Sequence, residues 1–439
     1  MKTDILIVGS GCSGLYCALM LPRGLRITII TKSDLESSDS FLAQGGICML
    51  RDETDYESYF ADTMRAGHYE NDQTSVDLMI RSSQSVIHNL ISCGVQFQKE
   101  ADGSFAFTRE GAHSKNRILF HADITGKEIT QKLLACVQRL PNVTLLEHTA
   151  MLDVICQNQT CLGAVVQTNA KPPEAMMSAV TILATGGIGG LYAHSTNFRH
   201  LTGDAIAIAI KHQIALRDIH YVQIHPTTLY SPDAKDRSFL ISESVRGEGA
   251  KLYDRHMQRF VNELLPRDQL TDAILAQMEK DQTPFVWEDL RGIPSQELKR
   301  HFPNIVAHCS AMGYDVTKEC IPVVPAQHYF MGGIQTDHNS RTSMEQLYAV
   351  GETACNGVHG RNRLASNSLL ESLVFAGRAA ADIASVLNKD PSLLAADRLA
   401  PQPESLAAYE NTQALAETYH RSVRDAIAEK TKTRERIYC

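Results

Sequence analysis

The stretch ILIVGSGCSG, residues 5–14, decides the fold that this sequence predicts. Its four apolar residues, 5–8, are typical of a buried parallel strand, and residues 13–21 are typical of the helix that follows it. Gly9, Gly11 and Gly14 have the spacing that allows a tight turn, close approach of the backbone to a pyrophosphate, and close packing of helix on strand. The phosphates would then bind the free N–H groups at the helix N-terminus. The alternative is a tight turn without a ligand.

The composition indicates a globular protein of ordinary balance, with 44% hydrophobic and 21% charged residues among 439. Such a length accommodates roughly two to three domains. The net charge of −8 argues against nucleic acid or an acidic membrane surface as the main partner. An acidic small molecule would therefore need a local basic pocket.

The predicted location is the cytoplasm. The first strand begins almost at the N-terminus, which leaves no room for a signal peptide, and no apolar run is long enough to span a bilayer. The eleven cysteines are scattered, without a CxxC pair, which favours reduced, mostly buried thiols. No metal site and no membrane partner are predicted.

The second predicted strand, residues 26–30, ends in Thr31 and Lys32. A site for NAD usually has an acidic residue there to bind the ribose, so this departure weakens an NAD interpretation. Lys32 either faces a phosphate or solvates a loop. The small polar stretch at 37–46 (SSDSFLAQGG) either approaches a ring or phosphate closely or is an ordinary loop.

The remaining elements alternate between helical and strand periodicity. Predicted helices span residues 74–93, 126–140, 204–211 and 405–428, and a further helix ends at about 387. Predicted strands span 143–146, 151–156, 162–168, 179–183 and 346–350. Ser366 or Ser368 is the expected cap of the helix that ends near 387. Residues 108–123 are expected to form a polar loop.

The composition changes between residues 217 and 331, where Arg, His and Pro become frequent and the strand–glycine–helix rhythm stops. We interpret this part as a domain inserted into a nucleotide-binding domain. The predicted fold class is α/β: a Rossmann-like domain at 1–216 and 332–389, an inserted α+β capping domain at 217–331, and a short helical tail at 390–439.

Motifs in a fixed order complete the pattern: GSGCSG, LAQGG, REGAHS, ATGG, TGDA, HPT, ISESVRGEGA, PRD, AQHYFMGG, GE and HGRNRLASNSLLES. The set, over roughly residues 1–387, resembles the fumarate reductase and succinate dehydrogenase flavoprotein family. The resemblance implies FAD on the Rossmann-like domain and a capping domain closed over the substrate.

For the cofactor, the resemblance implies contacts in the glycine turn at residues 9–14, in residues 37–46 (called here the flavin loop) and in the helix that ends near 387. The implied residues are Gly9, Ser10, Gly11, Cys12, Ser13, Gly14, Lys32, Asp39, Ser40, Phe41, Leu42, Ala43, Gln44, Gly45, Gly46, Leu152, Asp204, Glu352, Ser368 and Leu369. Among them, Leu152 is expected beside the adenine, and Ser368 and Leu369 at the isoalloxazine.

For the substrate, the resemblance implies a pocket formed by His225, Ser242, Arg267, His328 and Arg363. Two arginines suit a dicarboxylate because each offers bidentate donors and keeps its charge. Arg267 matches the family's proton donor and acceptor. His225 taken alone is equally compatible with a structural role.

Two departures distinguish branches of the family. Members of membrane complexes carry a histidine in the flavin loop that bonds covalently to FAD, whereas this chain has Asp39, so we expect noncovalent FAD. Glu110 matches the carboxylate that meets a substrate ammonium group in the branch that oxidises L-aspartate. A dicarboxylate without an amine would be repelled by it.

The resemblance therefore implies oxidation of L-aspartate to iminoaspartate, with O2 (giving H2O2) or fumarate as acceptor. Its place in the family is the first step of NAD biosynthesis, which supplies quinolinate synthase. The alternatives are a soluble fumarate reductase that uses the same pocket and a catalytically silent flavin-binding protein. The tail is shorter than the C-terminal helical domain usual in the branch, which should affect oligomerisation or stability rather than chemistry.

The residue Asp39 gives a prediction about the cofactor linkage. Precipitation of the purified protein with acid should leave the yellow colour in the supernatant, because a carboxylate side chain at this position has no ring nitrogen to bond to the flavin. Absorbance of the supernatant and of the redissolved pellet measures the partition. Colour in the pellet would contradict noncovalent binding.

Overall fold

The computed structural model of the protein describes residues 2–232, 236–395 and 406–431. The strands are β1 (Lys2–Val8), β2 (Ile27–Ile30), β3 (Ile47–Cys48), β4 (Ile118–Leu119), β5 (Val143–Leu146), β6 (Thr149–Gln157), β7 (Thr160–Thr168), β8 (Glu174–Leu183), β9 (Leu216–Arg217), β10 (Val222–Leu229), β11 (Lys251–Tyr253), β12 (Val286–Asp289), β13 (Ile321–Phe330), β14 (Gly333–Gln335), β15 (Leu347–Ala349) and β16 (Ala354–Cys355).

The helices alternate with these strands in the first half of the chain. They are α1 (Cys12–Met20), α2 (Asp39–Leu42), α3 (Tyr56–Ala66), α4 (Gln73–Ser92), α5 (Thr125–Gln138), α6 (Asp204–Lys211), α7 (Glu243–Gly247), α8 (Arg267–Asp281), α9 (Ser295–His301), α10 (Pro303–Ala311), α11 (Asn367–Lys389) and α12 (Thr412–Thr431).

The main sheet has the strand order β5-β2-β1-β8-β7-β6, with β15 also paired to β8. Strands β5, β2, β1, β8 and β15 are parallel to one another, whereas β6 and β7 form an antiparallel meander that joins the edge of β8. This is the α/β class expected from the sequence, with strands from both ends of the chain in one sheet.

Both faces of the sheet are covered because side chains alternate along each strand. Ile5 and Ile7 of β1 belong to a core formed with α1, α4, α5 and α11, and Leu6 and Val8 belong to a core formed with α6 and α12. A parallel strand buried on both faces has to be apolar throughout, which explains the unbroken apolar run at 5–8.

The turn between β1 and α1 has the geometry that its glycines predict. Gly9 has a φ of +118°, and a Cβ there would lie 2.0 Å from the carbonyl oxygen of Ala184 at the end of β8. A Cβ on Gly14 would lie 2.2 Å from the carbonyl oxygen of Gly9, so α1 packs directly on the turn. Larger residues at either position would separate the helix from the sheet.

Residues 222–330, called here the inserted segment, form a sheet of their own in the order β10-β13-β12-β11, all antiparallel. Its apolar side packs with α8, α9 and α10 in a separate core that includes Leu270, Ile274 and Ile305. A separate core agrees with an inserted α+β unit, and the exact domain boundaries stay a prediction.

The structure also differs from the sequence expectations at particular places. The predicted polar loop at 108–123 contains β4, which pairs with β3; two apolar residues are too few for a periodic signal. Ser366 stands at the N-cap position of α11, but its hydroxyl accepts from the N–H of Gly46 and donates to Glu110 instead of capping the helix, and Ser368 lies inside the helix, so neither predicted serine caps it. The predicted start of the tail helix, residue 405, lies outside the described residues.

The tail helix α12 packs beside α6 on the main sheet. Tyr419, Val423 and Ile427 are buried there, and the Tyr419 hydroxyl donates to the carbonyl of Leu152 at 2.7 Å. Within the described parts of the chain, no helix combines the length and apolar character needed to cross a bilayer.

Candidate functional site

A deep cleft lies at the carboxyl ends of β1, β2 and β8. This edge is the usual place for a ligand in an open α/β sheet. The cleft is lined by the glycine turn after β1, by residues 37–46 and by residues 184–186. Residues 196–204, parts of the inserted segment and the start of α11 line it as well. The cleft therefore joins parts of the chain that are more than 300 residues apart.

Most of the residues implied for the cofactor line this cleft. They are Gly9, Ser10, Gly11, Ser13, Lys32, Asp39, Ser40, Leu42, Ala43, Gln44, Gly45, Gly46, Asp204, Glu352, Ser368 and Leu369. Lys32 donates to Asp204 at 2.6 Å and to Thr202 at 3.3 Å, which ties the end of β2 to the start of α6.

Four implied cofactor residues do not line the cleft. Leu152 packs in a small cluster with Ile155 and Val165, because alternate residues of β6 face opposite ways and its neighbour Met151 faces the cleft instead. Phe41 lies 5.6 Å from the ammonium of Lys127, outside the cleft. Leu152 therefore does not line the cleft, and its place beside the adenine stays a prediction.

The other two lie behind the cleft wall. Cys12, the first residue of α1, is buried, and its thiol accepts a hydrogen bond from Ser40 at 3.2 Å. Burial raises the pKa of this thiol to about 11. Gly14 serves helix–strand packing, as its spacing predicts.

The cleft fits a hydroxyl-rich, phosphate-bearing cofactor such as FAD. Four residues that line it carry a buried polar atom with no hydrogen-bond partner among the described residues: Ser38 Oγ, Asp39 Oδ2, Gln44 Oε1 and Asn197 Oδ1. Buried polar groups are normally paired, so these atoms indicate a polar ligand. In addition, the first turn of α1 has no acidic residue, so its positive end favours a phosphate. One of its N–H groups, that of Cys12, donates to Ser40 Oγ at 3.2 Å.

Two carboxyls in the cofactor part of the cleft are held close to neutral. Burial raises the pKa of Asp39 to about 7, while the backbone N–H of Phe198 donates to it at 3.0 Å. Burial, and then the charge of Asp39, raise the pKa of Glu352 to about 8. Glu352 accepts from the N–H of Phe330 at 2.9 Å. Protonated carboxyls at these places can donate to hydroxyl groups of a ligand.

All six residues implied for the substrate, namely Glu110, His225, Ser242, Arg267, His328 and Arg363, line the same cleft. Arg267 is the first residue of α8, and its Nε donates to Glu243 at 2.7 Å. Arg363 donates to Ser368 at 2.8 Å and stacks 4.5 Å from the ring centroid of Tyr329, while its Nε has no partner among the described residues.

Gln223 is a site residue that the sequence interpretation missed. This buried amide accepts from Arg267 at 2.9 Å and donates to the carbonyl of Arg363 at 2.8 Å and to Asn362 at 2.7 Å. It therefore links the two arginines across the boundary between the inserted segment and the rest of the chain. The sequence could have indicated this residue, because Gln223 precedes His225 by two positions in the same strand and its side chain therefore lies on the same side.

The rings of His225 and His328 pack edge to face, and both are neutral. The ring centroids of His225 and His328 are 5.1 Å apart. Burial, and then the charge of Arg267, lower the pKa of both well below the usual value. His328 Nδ1 pairs with the Thr196 hydroxyl at 2.8 Å, and His225 Nε2 is buried without a partner among the described residues. Each ring can therefore donate one hydrogen bond without adding positive charge.

The electrostatics of the pocket depend on two buried glutamates. Burial opposes ionisation of Glu243, but the charges of Arg267 and Arg246 outweigh it and lower its pKa. Burial, and then the charge of Glu243, raise the pKa of Glu110. Glu110 accepts from Ser366 at 2.6 Å and from Ser244 at 2.8 Å. Glu243, Ser244 and Ser366 are further site residues that the sequence interpretation did not assign.

The class of protein follows from fold and site together. Residues 4–369 match the family described as FAD binding domain. A solved E. coli quinol fumarate reductase superposes with a TM-score of 0.82 at 29% identity, covering 96% of this chain and 74% of that one. The chain is a flavoprotein oxidoreductase of the fumarate reductase and succinate dehydrogenase type, with FAD as its cofactor.

The branch within this class is shown by sequence relatives. An L-aspartate oxidase of Clostridium perfringens is 47% identical over 385 residues, which are 88% of this chain and 87% of that relative. An L-aspartate oxidase of Neisseria meningitidis is 42% identical over 390 residues, which are 87% of this chain and 78% of that relative. The chain belongs to the L-aspartate oxidase family.

The raised pKa of Glu352 predicts a pH-dependent stability of the flavin-free protein. The unfolded residue loses its proton near its ordinary pKa of about 4.3, whereas the folded one keeps it up to about 8. Between these values the folded state binds more protons, so this group's contribution to stability falls as the pH rises. Glu352→Gln removes that titration and should melt like the wild type at about pH 5 and at a higher temperature at about pH 9.

Melting curves of the flavin-free proteins across this pH range measure the difference. The matched control is Glu57→Gln, which changes an exposed glutamate and should follow the wild type at every pH. A constant offset between Glu352→Gln and the wild type would contradict the raised pKa.

Proposed function

We propose that this protein oxidises L-aspartate to iminoaspartate, with O2 or fumarate as the final electron acceptor, in the first step of NAD biosynthesis. The observation that carries the proposal is that the Glu110 carboxylate is not paired with an arginine. The guanidinium groups of Arg267 and Arg363 line the same pocket as Glu110, yet within the described residues Glu110 forms no ion pair and its carboxylate accepts hydrogen bonds only from hydroxyl groups. A carboxylate kept free of arginine suits an ammonium group.

The pocket would bind L-aspartate through all three of its charges. Arg267 and Arg363 each offer two parallel N–H donors to a carboxylate, and the neutral rings of His225 and His328 add donors without further charge. Ser242 adds a hydroxyl. Glu110 would meet the ammonium group, which fixes the orientation of the substrate's C2.

Bound FAD supplies the hydride acceptor for oxidation at C2. The protein's own part is to hold the substrate and to exclude water from it. Glu243 and Gln223 both hydrogen-bond the guanidinium of Arg267, so its N–H groups have a defined direction. When fumarate is the electron acceptor and is reduced to succinate, Arg267 would donate the proton to the alkene carbon next to the one that receives the hydride. We further propose that iminoaspartate passes to quinolinate synthase.

A fumarate reductase remains the second candidate, because the arginines and histidines of the pocket suit fumarate equally well. A similar solved structure is itself a quinol fumarate reductase. The two candidates differ at Glu110, which would repel a dicarboxylate that lacks an amine. A flavin-binding protein without activity is the third candidate.

The deciding experiment is anaerobic mixing of the yellow protein with L-aspartate while the visible flavin absorption is recorded. We expect bleaching with L-aspartate and none with succinate. No bleaching, together with return of the colour when fumarate is added to the chemically reduced protein, would make it a fumarate reductase. A yellow protein that reacts with neither would support the silent flavoprotein.

Replacement of Glu110 gives a second prediction. Glu110→Gln removes the negative charge opposite the ammonium group but keeps the shape, so kcat/KM for L-aspartate should fall by about tenfold or more, the effect of losing a hydrogen bond to a charged group. Fumarate reduction by the prereduced variant should fall far less. Equal losses in steady-state assays of the two reactions would show that Glu110 does not meet the ammonium group.

A further inference from the structure

The two oxygens of Glu110 accept hydrogen bonds from two different parts of the chain. Ser366, just before α11, donates to Oε2 at 2.6 Å, and Ser244, in α7 of the inserted segment, donates to Oε1 at 2.8 Å. All three side chains are buried. The carboxylate therefore depends on a hydroxyl from each side of the boundary between the inserted segment and the rest of the chain.

The hydroxyl of Ser244 is committed to this carboxylate. A hydroxyl has one hydrogen, and that of Ser244 goes to Glu110. The Ser244 oxygen in turn accepts from the Ser242 hydroxyl at 3.3 Å, and the Ser244 N–H donates to Ser242 at 3.3 Å. A chain of hydroxyls thus leads from Ser242, which lines the substrate pocket, through Ser244 to Glu110.

Glu110 needs such donors because its surroundings oppose a negative charge. It is buried, and Glu243 adds a like charge. The charged and titratable groups that face it are Glu243, Arg267, Arg363 and Cys48. Arg267 is already paired with Glu243. The hydroxyls of Ser366 and Ser244 are consequently the direct hydrogen-bond donors that favour the ionised form.

The backbone keeps the carboxylate in one place. A Cβ on Gly45 would lie 2.5 Å from Glu110 Oε1, so the flavin loop closes off that side. Because this side is closed, loss of one serine donor cannot be repaired by a swing of Glu110 toward the loop.

We propose that Ser244 is a positioning residue that determines selectivity for an amine-bearing dicarboxylate: its hydroxyl, oriented by Ser242, holds the Glu110 carboxylate toward the substrate's ammonium group. This assignment rests on the proposed function, since it needs a substrate with an amine. It also places part of amine recognition in the inserted segment, so that the segment must sit against residues 108–114 before the amine is recognised.

The test compares L-aspartate oxidation with fumarate reduction in the FAD-loaded protein carrying Ser244→Ala. We expect the kcat/KM for L-aspartate divided by that for fumarate to fall about tenfold. The variant loses a hydrogen bond to the Glu110 carboxylate, and that carboxylate takes part in binding only when the substrate carries an amine. Ser244→Thr keeps the hydroxyl and should restore the ratio. Thr271→Val, which removes a buried hydroxyl without a protein partner from the same segment, is the matched control.

Two further readouts separate positioning from a merely structural role. Loss of the Ser244 donor raises the pKa of Glu110, so the acidic limb of kcat/KM for L-aspartate should move to higher pH in Ser244→Ala. In the Glu110→Gln background, Ser244→Ala should add almost nothing, because both changes act through the same carboxylate. Full additivity in this cycle, or an unmoved acidic limb, would overturn the assignment.

The outcomes distinguish this assignment from the proposed function. If L-aspartate does not reduce the flavin of the wild type, the proposed function fails and this assignment fails with it. If the wild type is reduced and Ser244→Ala keeps the wild-type ratio of activities, only the role of Ser244 is overturned. Flavin absorption per protein, measured before each assay, shows that the variants are folded and loaded.

Discussion

The buried hydrogen bonds of Gln223 and Glu243 to Arg267 are the interaction on which the site depends. A guanidinium removed from water has to be paired and fully hydrogen-bonded, since an unpaired buried charge is strongly destabilising. Glu243 accepts from Nε and supplies the opposite charge, and Gln223 accepts from Nη1, which leaves the other N–H donors of Arg267 for a substrate. The same amide of Gln223 also bonds the loop that carries Arg363. One side chain therefore sets the distance between the two arginines and joins the inserted segment to the nucleotide-binding part.

Local charge explains how a protein with a net charge of −8 can bind a dicarboxylate. The two arginines of the pocket face a single paired carboxylate, Glu243, and the pocket's histidines are neutral because burial and the nearby arginine disfavour a further positive charge. Glu110 is the exception, a carboxylate supported by hydroxyls instead of arginines. Net charge governs the protein as a whole, whereas the potential in a buried cleft depends on the few groups that line it.

Much of the fold was predictable because the relevant signals are local. The apolar run at 5–8, the glycine spacing and the periodicity of α4 and α5 each depend on residues close in sequence. The two helices lie within two residues of their predicted bounds, and β1 ends at the predicted residue but begins three residues earlier. Cofactor residues in the glycine turn and the flavin loop were predictable from the resemblance for the same reason. The side of β6 that faces the cleft was not predictable in this way. The resemblance implied Leu152 but not the direction of its side chain, and Met151 lines the cleft instead.

The sequence by itself determined the class of fold, the cofactor type and the set of charged residues available to a substrate, because these follow from periodicity, glycine spacing and ordered motifs. Only the tertiary structure decided which polar groups meet. Gln223, Glu243 and Ser244 are ordinary polar residues in sequence, and their partners lie from 24 to 140 positions away. Hydrogen bonds act over about 3 Å, so their pattern follows from how separate segments pack rather than from the order of residues along the chain.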